Sequence, residues 1–371
     1  MAVHMTSAHP AFELRTFLKE ARSLARAGWD VSIVVCHSKR EVVDGVTVIG
    51  VPTARGRLGR IVGTTFRVMR EAIATKAPIC HFHDPELIPA GFVLKCLGRR
   101  IVYDVHEDLP RQILTKNWIH PRFRRLLSMA AELLETVAAR CFDRIVAATP
   151  EIGRRFPQQK TVVVQNYPFP EELAPEAGAH YRQRPAVVSY IGSVTEQRGA
   201  LEMVKAIGLV NDRLEAELHI AGRYDPASLT TKLATISGWH KTRALGTISR
   251  AEVKTLLGKT RVGLVVFDAS PNHVKAQPNK LFEYMTAGIP VIASDFPLWR
   301  EIVTDNEAGL VVDPKDPKAI ADAIQWLLEH EDEAARMGRR GMEVVASTFN
   351  WAAEEKKLLA MYAELGGLRH A

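Results

Sequence analysis

No uninterrupted apolar run in the 371-residue sequence approaches the roughly 18 residues of a bilayer-spanning helix, so no segment reads as transmembrane. The first ten residues, Met1 to Pro10, hold no Lys or Arg and lead into no stretch of signal-peptide type, which makes a cytoplasmic location the expectation. Cysteine is scarce: Cys36, Cys80, Cys96 and Cys141 show no two-residue pairing and are too few for a disulfide framework, so they read as reduced core thiols. The phosphate loop ending in Gly-Lys-Ser/Thr is missing, and after Gly192 the next glycine is Gly199, so the spaced-glycine dinucleotide fingerprint is missing too. A nicotinamide dehydrogenase is thereby disfavoured. Zinc-finger, helix-turn-helix and aromatic-stacking signatures are also lacking, and nucleic acid is not an expected partner.

What is present is ordinary globular material, 47% apolar and 25% charged, in a length that suggests about two domains. The net charge of +7 is uneven. Met1 to Tyr167 holds 25 Lys and Arg against 15 Asp and Glu, a balance of +10, which leaves 24 against 27, or −3, for the rest. The basic residues crowd at Arg55, Arg57, Arg60, Arg67 and Arg70, and again at Arg122, Arg124 and Arg125, alternating with apolar residues at helical spacing. Such stretches suit an anionic membrane surface or an anionic substrate, and equally a solvated helix face.

Short β-branched runs alternate with helical patterns, the mark of parallel sheets covered by helices on both faces. Strands are expected at 2–7, 31–36, 46–51, 79–82, 101–105, 144–148 and 161–165, and after a Pro-rich stretch at 187–191, 217–221, 262–267, 291–293 and 310–312. A helix over 124–142 puts Leu126, Ala130, Leu133, Val137 and Cys141 on one apolar stripe. The aperiodic segment from Asn166 to His180 reads as the linker between two α/β units, whose ligands belong at the carboxyl ends of their strands.

Three stretches carry chemistry. Pro278–Ser294 reads as a helix, a Gly-Ile-Pro turn and a strand, with Lys280 and Glu283 on one helical face near the N-terminus. A helix N-terminus and a Lys attract phosphate, and a carboxylate one turn away suits the vicinal hydroxyls of a ribose; a surface Lys–Glu pair fits the same spacing. Gly192 to Gly199, with Arg198 at its edge, forms a glycine turn leading into a helix, where backbone and guanidinium can approach a phosphate. In the first half, His81-Phe-His-Asp-Pro-Glu-Leu87 and Tyr103-Asp-Val-His-Glu-Asp108 place ionisable groups just past strand ends. A third ligand at metal-site spacing is missing, so no metal is expected.

With these residues the chain resembles the GT-B glycosyltransferases of family 4, the retaining, nucleotide-sugar-dependent group. The likeness runs from Thr6 to Arg15, through the His-Asp-Pro-Glu-Leu and Asp-Val-His-Glu segments and Gly192–Gly199, to the Lys-Leu-Phe-Glu-Tyr-Met helix and the Phe349-Asn-Trp351 closing pattern. It implies an α/β, GT-B fold of two Rossmann-like domains facing each other across a cleft. The N-terminal, acceptor-binding domain would span 1–167 with a closing helix at 350–371 packed back on it, followed by a linker at 168–183 and a nucleotide-sugar domain at 184–349. It also implies His106, Arg198, Lys280 and Glu283 as catalytic groups: Glu283 on the ribose, Arg198 and Lys280 on the diphosphate, His106 at the donor sugar. Gly192, Ser193, Gly199 and Leu281 would complete the donor site, with the backbone of Leu245, Gly246 and Thr247 at the base. His9, Arg15, His83, Asp84 and Glu107 fall on the acceptor side.

This sequence departs from the family pattern at Lys275, eight residues before Glu283, where a second glutamate is common. It departs again at Ser193, where Gly-Arg is usual, and at His9-Pro10 in place of a glycine pair. The resulting expectation is a retaining transfer of a sugar from UDP or GDP to an acceptor hydroxyl. It needs no metal or cofactor, and the acceptor is a lipid-linked or glycan intermediate of surface polysaccharide synthesis, met at an anionic membrane surface. A GT-B nucleotide-sugar epimerase and a non-catalytic nucleotide-sugar-binding protein are the alternatives.

Overall fold

The computed structural model describes residues 1–54, 56, 59–115, 119–175 and 180–367. Arg55, Arg57, residues 176–179 of the expected linker and the end of the expected closing helix, 368–371, lie outside the described residues, as does the side chain of Arg60. The chain divides into two units, Met1–Asn166 with Trp351–Ala371, and Tyr167–Asn350.

The first unit is built on eight strands: β1 (Ala2–Pro10), β2 (Val31–Cys36), β3 (Arg40–Val43), β4 (Val46–Val51), β5 (Ile79–Phe82), β6 (Arg100–Val105), β7 (Arg144–Ala147) and β8 (Thr161–Val163). They lie in the order β3-β4-β2-β1-β5-β6-β7-β8, all parallel except the β3–β4 hairpin. The strand order reverses between β1 and β5, which pair in register Ala2↔Ile79 to Met5↔Phe82. The loops at their carboxyl ends therefore open where such sheets bind ligands. The second unit carries β9 (Val187–Ile191), β10 (Glu217–Ala221), β11 (Thr242–Gly246), β12 (Thr260–Val265), β13 (Val291–Ser294) and β14 (Gly309–Val312), all parallel, in the order β11-β10-β9-β12-β13-β14. Its reversal lies between β9 and β12. Central strands such as β12 and β13 are buried along their whole length, as strands covered on both faces are.

Two strands, β3 and β11, are additional to those expected from sequence. Both are edge strands with exposed, mixed side chains, so neither carries an apolar run. The hairpin into β4 turns on Asp44 and Gly45, both at positive φ, the two-residue turn that matches strand twist.

The helix Pro121–Cys141 differs from expectation in which face it buries. Ser128, Glu135, Ala138 and Ala139 face the protein, while the apolar stripe points away: Leu126 is 64% exposed and Leu133 66%. Small residues and a tyrosine-bound carboxylate sit against the sheet because the helix packs closely there, with Tyr103 donating to Glu135 at 3.0 Å. Cys141, on that outward stripe, and Cys96 are exposed, contrary to the expectation of core thiols; Cys80 is buried, and burial pushes its thiol up to about 12.

The segment 168–183, expected as linker, is grouped with the second unit. Pro170–Leu173 forms a helical turn, and Tyr167 and Leu173 are buried in that unit's core, which is what orders a segment without period. The last helix, Trp351–Gly366, packs on the first unit. Trp351 donates to Ser23 Oγ at 2.9 Å, and Gly366 lets the backbone approach Trp29, where a Cβ would come within 2.8 Å of the ring.

Candidate functional site

In the second unit the turn after β9 is shaped by glycines no other residue could replace without strain. Gly192 has φ +116° and Gly222 φ +152°, and a Cβ on Gly222 would fall 1.8 Å from the Gly192 carbonyl. Gly199, at φ +71°, brings its Cα so near Val266 that a Cβ would meet that carbonyl at 2.1 Å. Directly after it begins the helix Ala200–Leu209, whose first-turn N–H groups have no partner within the helix. The loops after β9, β10 and β11 are tied by backbone hydrogen bonds, Gly192 N–H to Ala221 O at 2.8 Å and Gly222 N–H to Gly246 O at 2.6 Å. Leu245, Gly246 and Thr247 are thus held beside the glycine turn, with Leu245 and Thr247 exposed.

The helix Asn279–Thr286 supplies the charges. Lys280 and Glu283 are each 7% exposed and three residues apart, as their spacing requires. Lys280 Nζ lies 3.5 Å from the centroid of the Tyr190 ring and 5.2 Å from that of Phe267, makes no hydrogen bond, and would sit 3.1 Å from a Cβ on Gly192. Burial first, and then the neighbouring Arg198, hold its amine well below the ordinary lysine value. Arg198 stacks over Phe267 at 5.4 Å. A buried cation without a partner, beside a guanidinium and an open glycine turn, is incomplete until an anion arrives.

Glu283 Oε1 accepts from Arg250 Nη1 at 2.6 Å, and the same guanidinium binds Glu172 through Nε at 2.6 Å and Nη2 at 3.2 Å. Neither Arg250 nor Glu172 was legible as part of a site. Arg250 opens a helix whose capping box, Ser249 with Glu252, was the available signal that its first residue is fixed in place. Leu281, placed at the donor by sequence, is a core residue: its side chain is fully buried and its N–H goes to Pro278 O at 3.0 Å, leaving nothing to offer a ligand. Ser193 is exposed, and its carbonyl accepts from Tyr190 Oη at 2.7 Å.

In the first unit the predicted histidines and acids gather at the carboxyl ends of β1, β5 and β6. Asp104 is fully buried and accepts four hydrogen bonds, from Arg15 Nε (3.0 Å) and Nη2 (2.8 Å), His83 Nδ1 (3.0 Å) and His106 Nε2 (2.8 Å). Burial alone would raise this carboxyl; Arg15 and His106 outweigh it and hold Asp104 well below the usual carboxylate range. His106 is 16% exposed at its side chain and is the outward member of the group. Behind it lie groups sequence reading left out, His4, Glu20 and Tyr362, all buried. Asp84 organises the carboxyl-terminal half of β1, accepting from Thr6 Oγ1 at 2.8 Å and from the N–H groups of Ser7 and Ala8 at 2.7 and 3.2 Å, with His9 Nε2 at 3.3 Å.

The acceptor-side expectation is corrected for three residues, Arg15, His83 and Asp84, the last 4% exposed and taken up by the β1 groups just described. Arg15 lies on the wide-wound helix Leu14–Ala21, is 3% exposed, and is spent on Asp104 and the Val164 carbonyl at 2.8 Å; His83 is equally enclosed. None of the three can reach an acceptor. His9 and Glu107 do reach the surface, Glu107 in contact with Gln112.

Two groups have the ligand types and closeness of a metal site: His4, Glu20, His81 and His83, and His83, Asp104 and His106, each with atoms within 4.8 Å. Their chemistry fits a hydrogen-bonded network better. His4 Nδ1 and His83 Nε2 face each other at 2.9 Å, and the Arg15 guanidinium stands against Glu20 (3.1 Å) and Asp104, opposing a second cation.

Residues 15–167 match the family model for a glycosyl transferase 4-like domain, and residues 177–344 that for glycosyl transferases group 1. The D-rhamnosyltransferase WbpZ of Pseudomonas aeruginosa is 24% identical over 296 residues, covering 74% of this chain and 70% of that protein. A phosphatidyl-myo-inositol mannosyltransferase of Mycolicibacterium smegmatis is 24% identical over 369 residues, covering 94% and 89%. Among solved structures, Anabaena HepE in complex with UDP-glucose superposes with a TM-score of 0.72 at 13% identity, over 98% of this chain and 99% of that one. With both domain models matched in chain order, each on its own parallel-sheet unit, the chain belongs to the group 1 glycosyltransferases of GT-B fold.

Proposed function

We propose that this glycosyltransferase moves a sugar from a nucleoside diphosphate to a hydroxyl of a lipid-linked or glycan acceptor, with retention at the anomeric carbon. The observation that carries the reading is the unpartnered, buried Lys280 amine beside Gly192 and Arg198. Lys280, Arg198 and the first turn of helix Ala200–Leu209 take the charge that develops on the leaving diphosphate, an electrostatic role filled without a metal. Glu283, aimed by Arg250, accepts from the ribose hydroxyls, and the exposed backbone at Leu245–Thr247 receives the base. His106 meets a hydroxyl of the sugar, while His9 and Glu107 lie on the acceptor side. A rhamnosyltransferase and a phosphatidyl-inositol mannosyltransferase among the relatives, and a neighbour holding UDP-glucose, support this class of donor and acceptor.

The outward face of helix Pro121–Cys141 supports an anionic lipid surface as the place of acceptor binding. Phe123, Leu126, Leu127, Met129, Leu133, Leu134 and Val137 are exposed on it, flanked by Arg122, Arg125 and Arg140. Glu135 faces the protein, and the exposed Glu132 lies one heptad after Arg125 at the edge of this apolar face. Three arginines against one glutamate leave the rim positive, which suits anionic headgroups. No described helix is long and apolar enough to cross a membrane.

The test offers UDP- and GDP-hexoses with lipid-linked acceptors in anionic vesicles and reads nucleotide release and the configuration of the new bond by NMR. Transfer with an unchanged anomeric configuration supports the reading, and inversion contradicts the retaining part. Conversion of the donor without acceptor marks an epimerase, and binding without turnover marks a binding protein.

A further inference from the structure

Behind His106 the first unit buries a continuous file of polar side chains to which the proposed transfer gives no role. Tyr362, from the last helix, has its hydroxyl 2.8 Å from His81 Nδ1 and 3.2 Å from His4 Nε2. His4 Nδ1 is 2.9 Å from His83 Nε2, and His83 Nδ1 is 3.0 Å from Asp104 Oδ2, the oxygen that also takes His106 Nε2 at 2.8 Å. At the far end His81 Nε2 faces Glu20 Oε2 at 3.8 Å, and neither atom has a hydrogen-bond partner. Each member but His106 is buried, from β1 (His4), β5 (His81) and the residue just after it (His83), β6 (Asp104), the helix Leu14–Ala21 (Glu20) and the closing helix (Tyr362).

The hydrogens along this file follow from its outer end. Asp104, gripped through two nitrogens of Arg15, is a carboxylate and can only accept, so His83 Nδ1 and His106 Nε2 both carry protons. The 3.3 Å between those two nitrogens is then two donors converging on one oxygen. A neutral His83 has its lone pair on Nε2 and accepts from His4 Nδ1–H. A neutral His4 accepts at Nε2 from the Tyr362 hydroxyl, whose oxygen in turn accepts from His81 Nδ1–H. His81 Nε2 is left as a lone pair facing Glu20. Burial keeps the three imidazoles below the ordinary histidine value, and burial and Asp104 keep Glu20 above the ordinary carboxylate value, so the surroundings of these four groups favour the neutral forms used here.

We propose that Tyr362, His4 and His83 are positioning residues that hold the Asp104 carboxylate in place, and that Asp104 in turn fixes His106 as its Nε2–H tautomer with a bare Nδ1 that accepts the hydrogen of a bound sugar hydroxyl. His106 Nδ1 has no hydrogen bond to any of the described residues and belongs to the outward, part-exposed ring. The opposite tautomer would set the His106 Nε2 lone pair against the Asp104 carboxylate oxygen 2.8 Å away. Because Tyr362 comes from the last helix, the file is complete only with that helix in place.

The direct test is long-range proton–nitrogen NMR on full-length protein labelled at histidine. The expected result is Nδ1–H for His4, His81 and His83 and Nε2–H for His106, with Tyr362→Phe moving the nitrogen shifts of both His4 and His81. A His106 carrying its proton on Nδ1, a charged His4 or His83 at neutral pH, or a Tyr362→Phe spectrum identical to wild type overturns the proposal. These readouts are independent of any donor, so they fail or hold separately from the transferase reading, on which only the kinetic arm rests. In that arm His83→Asn, whose amide nitrogen can replace the Nδ1–H donor, retains turnover within about threefold. His83→Phe lowers kcat at least tenfold with the donor KM unchanged. Equal loss in two variants that melt alike contradicts the positioning role.

Discussion

Lys280 Nζ and the Tyr190 ring are stacked at 3.5 Å, a cation placed on an aromatic face with no hydrogen-bond acceptor in reach. The aromatic face compensates part of the lost hydration, and the rest remains for an anion to supply. Lys280→Met, which keeps the volume and drops the charge, is expected to raise the nucleotide-free stability by about 0.5–2 kcal/mol and to weaken UDP or GDP binding by about 1.5–3 kcal/mol. Chemical denaturation and calorimetry on the same two proteins check both signs. A variant less stable than wild type with unaltered binding would make Lys280 a structural residue.

The same amine makes nucleotide binding a proton-linked event. Its value in the free protein is lowered, and a bound diphosphate raises it, so between the two values binding takes up a proton and affinity falls as pH rises. Calorimetry at about pH 9 in buffers of different ionisation enthalpy is expected to show uptake that disappears in Lys280→Met. Uptake of equal size in both proteins would assign the proton elsewhere.

Stability should respond to acid through the buried histidines. His4, His81 and His83 bind protons more weakly folded than unfolded, so their contribution is full above the unfolded histidine value and is lost as pH falls below it. Glu20, raised by burial, acts in the opposite sense, holding one proton in the folded state that the unfolded state lacks until pH drops to the ordinary glutamate range. The balance is two extra protons in the unfolded chain, a fall of about 2.7 kcal/mol per pH unit between roughly pH 6 and 5. Denaturant midpoints across that range measure it, and a flat profile would mean these imidazoles are charged in the native protein.

The exposed face of helix Pro121–Cys141 separates partner binding from folding. Leu133→Asp, on the outward stripe, is expected to change stability by less than about 0.5 kcal/mol while abolishing sedimentation with anionic vesicles; Ala138→Asp, on the buried face, should cost several times more. Neutral vesicles and raised salt should release the wild type. Vesicle binding that survives both Leu133→Asp and salt would put the contact on another surface.

Which parts of this were legible in sequence follows from what each element buries. Central strands such as β9 and β13 announce themselves because both faces are covered and the run is mostly apolar, and β10 by the apolar positions that alternate with Glu217 and His219. The edge strands β3 and β11 bury little and left only turn chemistry to read, Asp44-Gly45 in the first case. Period alone located the helix 121–141 and could not say which side faced the sheet, because its inner face is made of Ser128, Glu135 and alanines. In the site, Lys280 and Glu283 were visible as neighbours on one helical turn, whereas Arg250, 33 residues away, becomes Glu283's partner only through folding. His4, Glu20 and Tyr362 were hidden for the same reason: the hydroxyl that closes the histidine file lies 281 residues from His81.

The central claim is that the turn at Gly192, with Lys280, Arg198 and Glu283, binds a nucleoside diphosphate. The most direct measurement is thermal stabilisation by UDP and GDP, with and without magnesium, in wild type and Glu283→Gln. At about 100 times its dissociation constant a ligand adds roughly 2.7 kcal/mol, a shift read easily in a melt. Stabilisation by one of the two diphosphates, present without magnesium and reduced in Glu283→Gln, is the result predicted. No response to either, or a response that Glu283→Gln leaves untouched, would contradict the assignment.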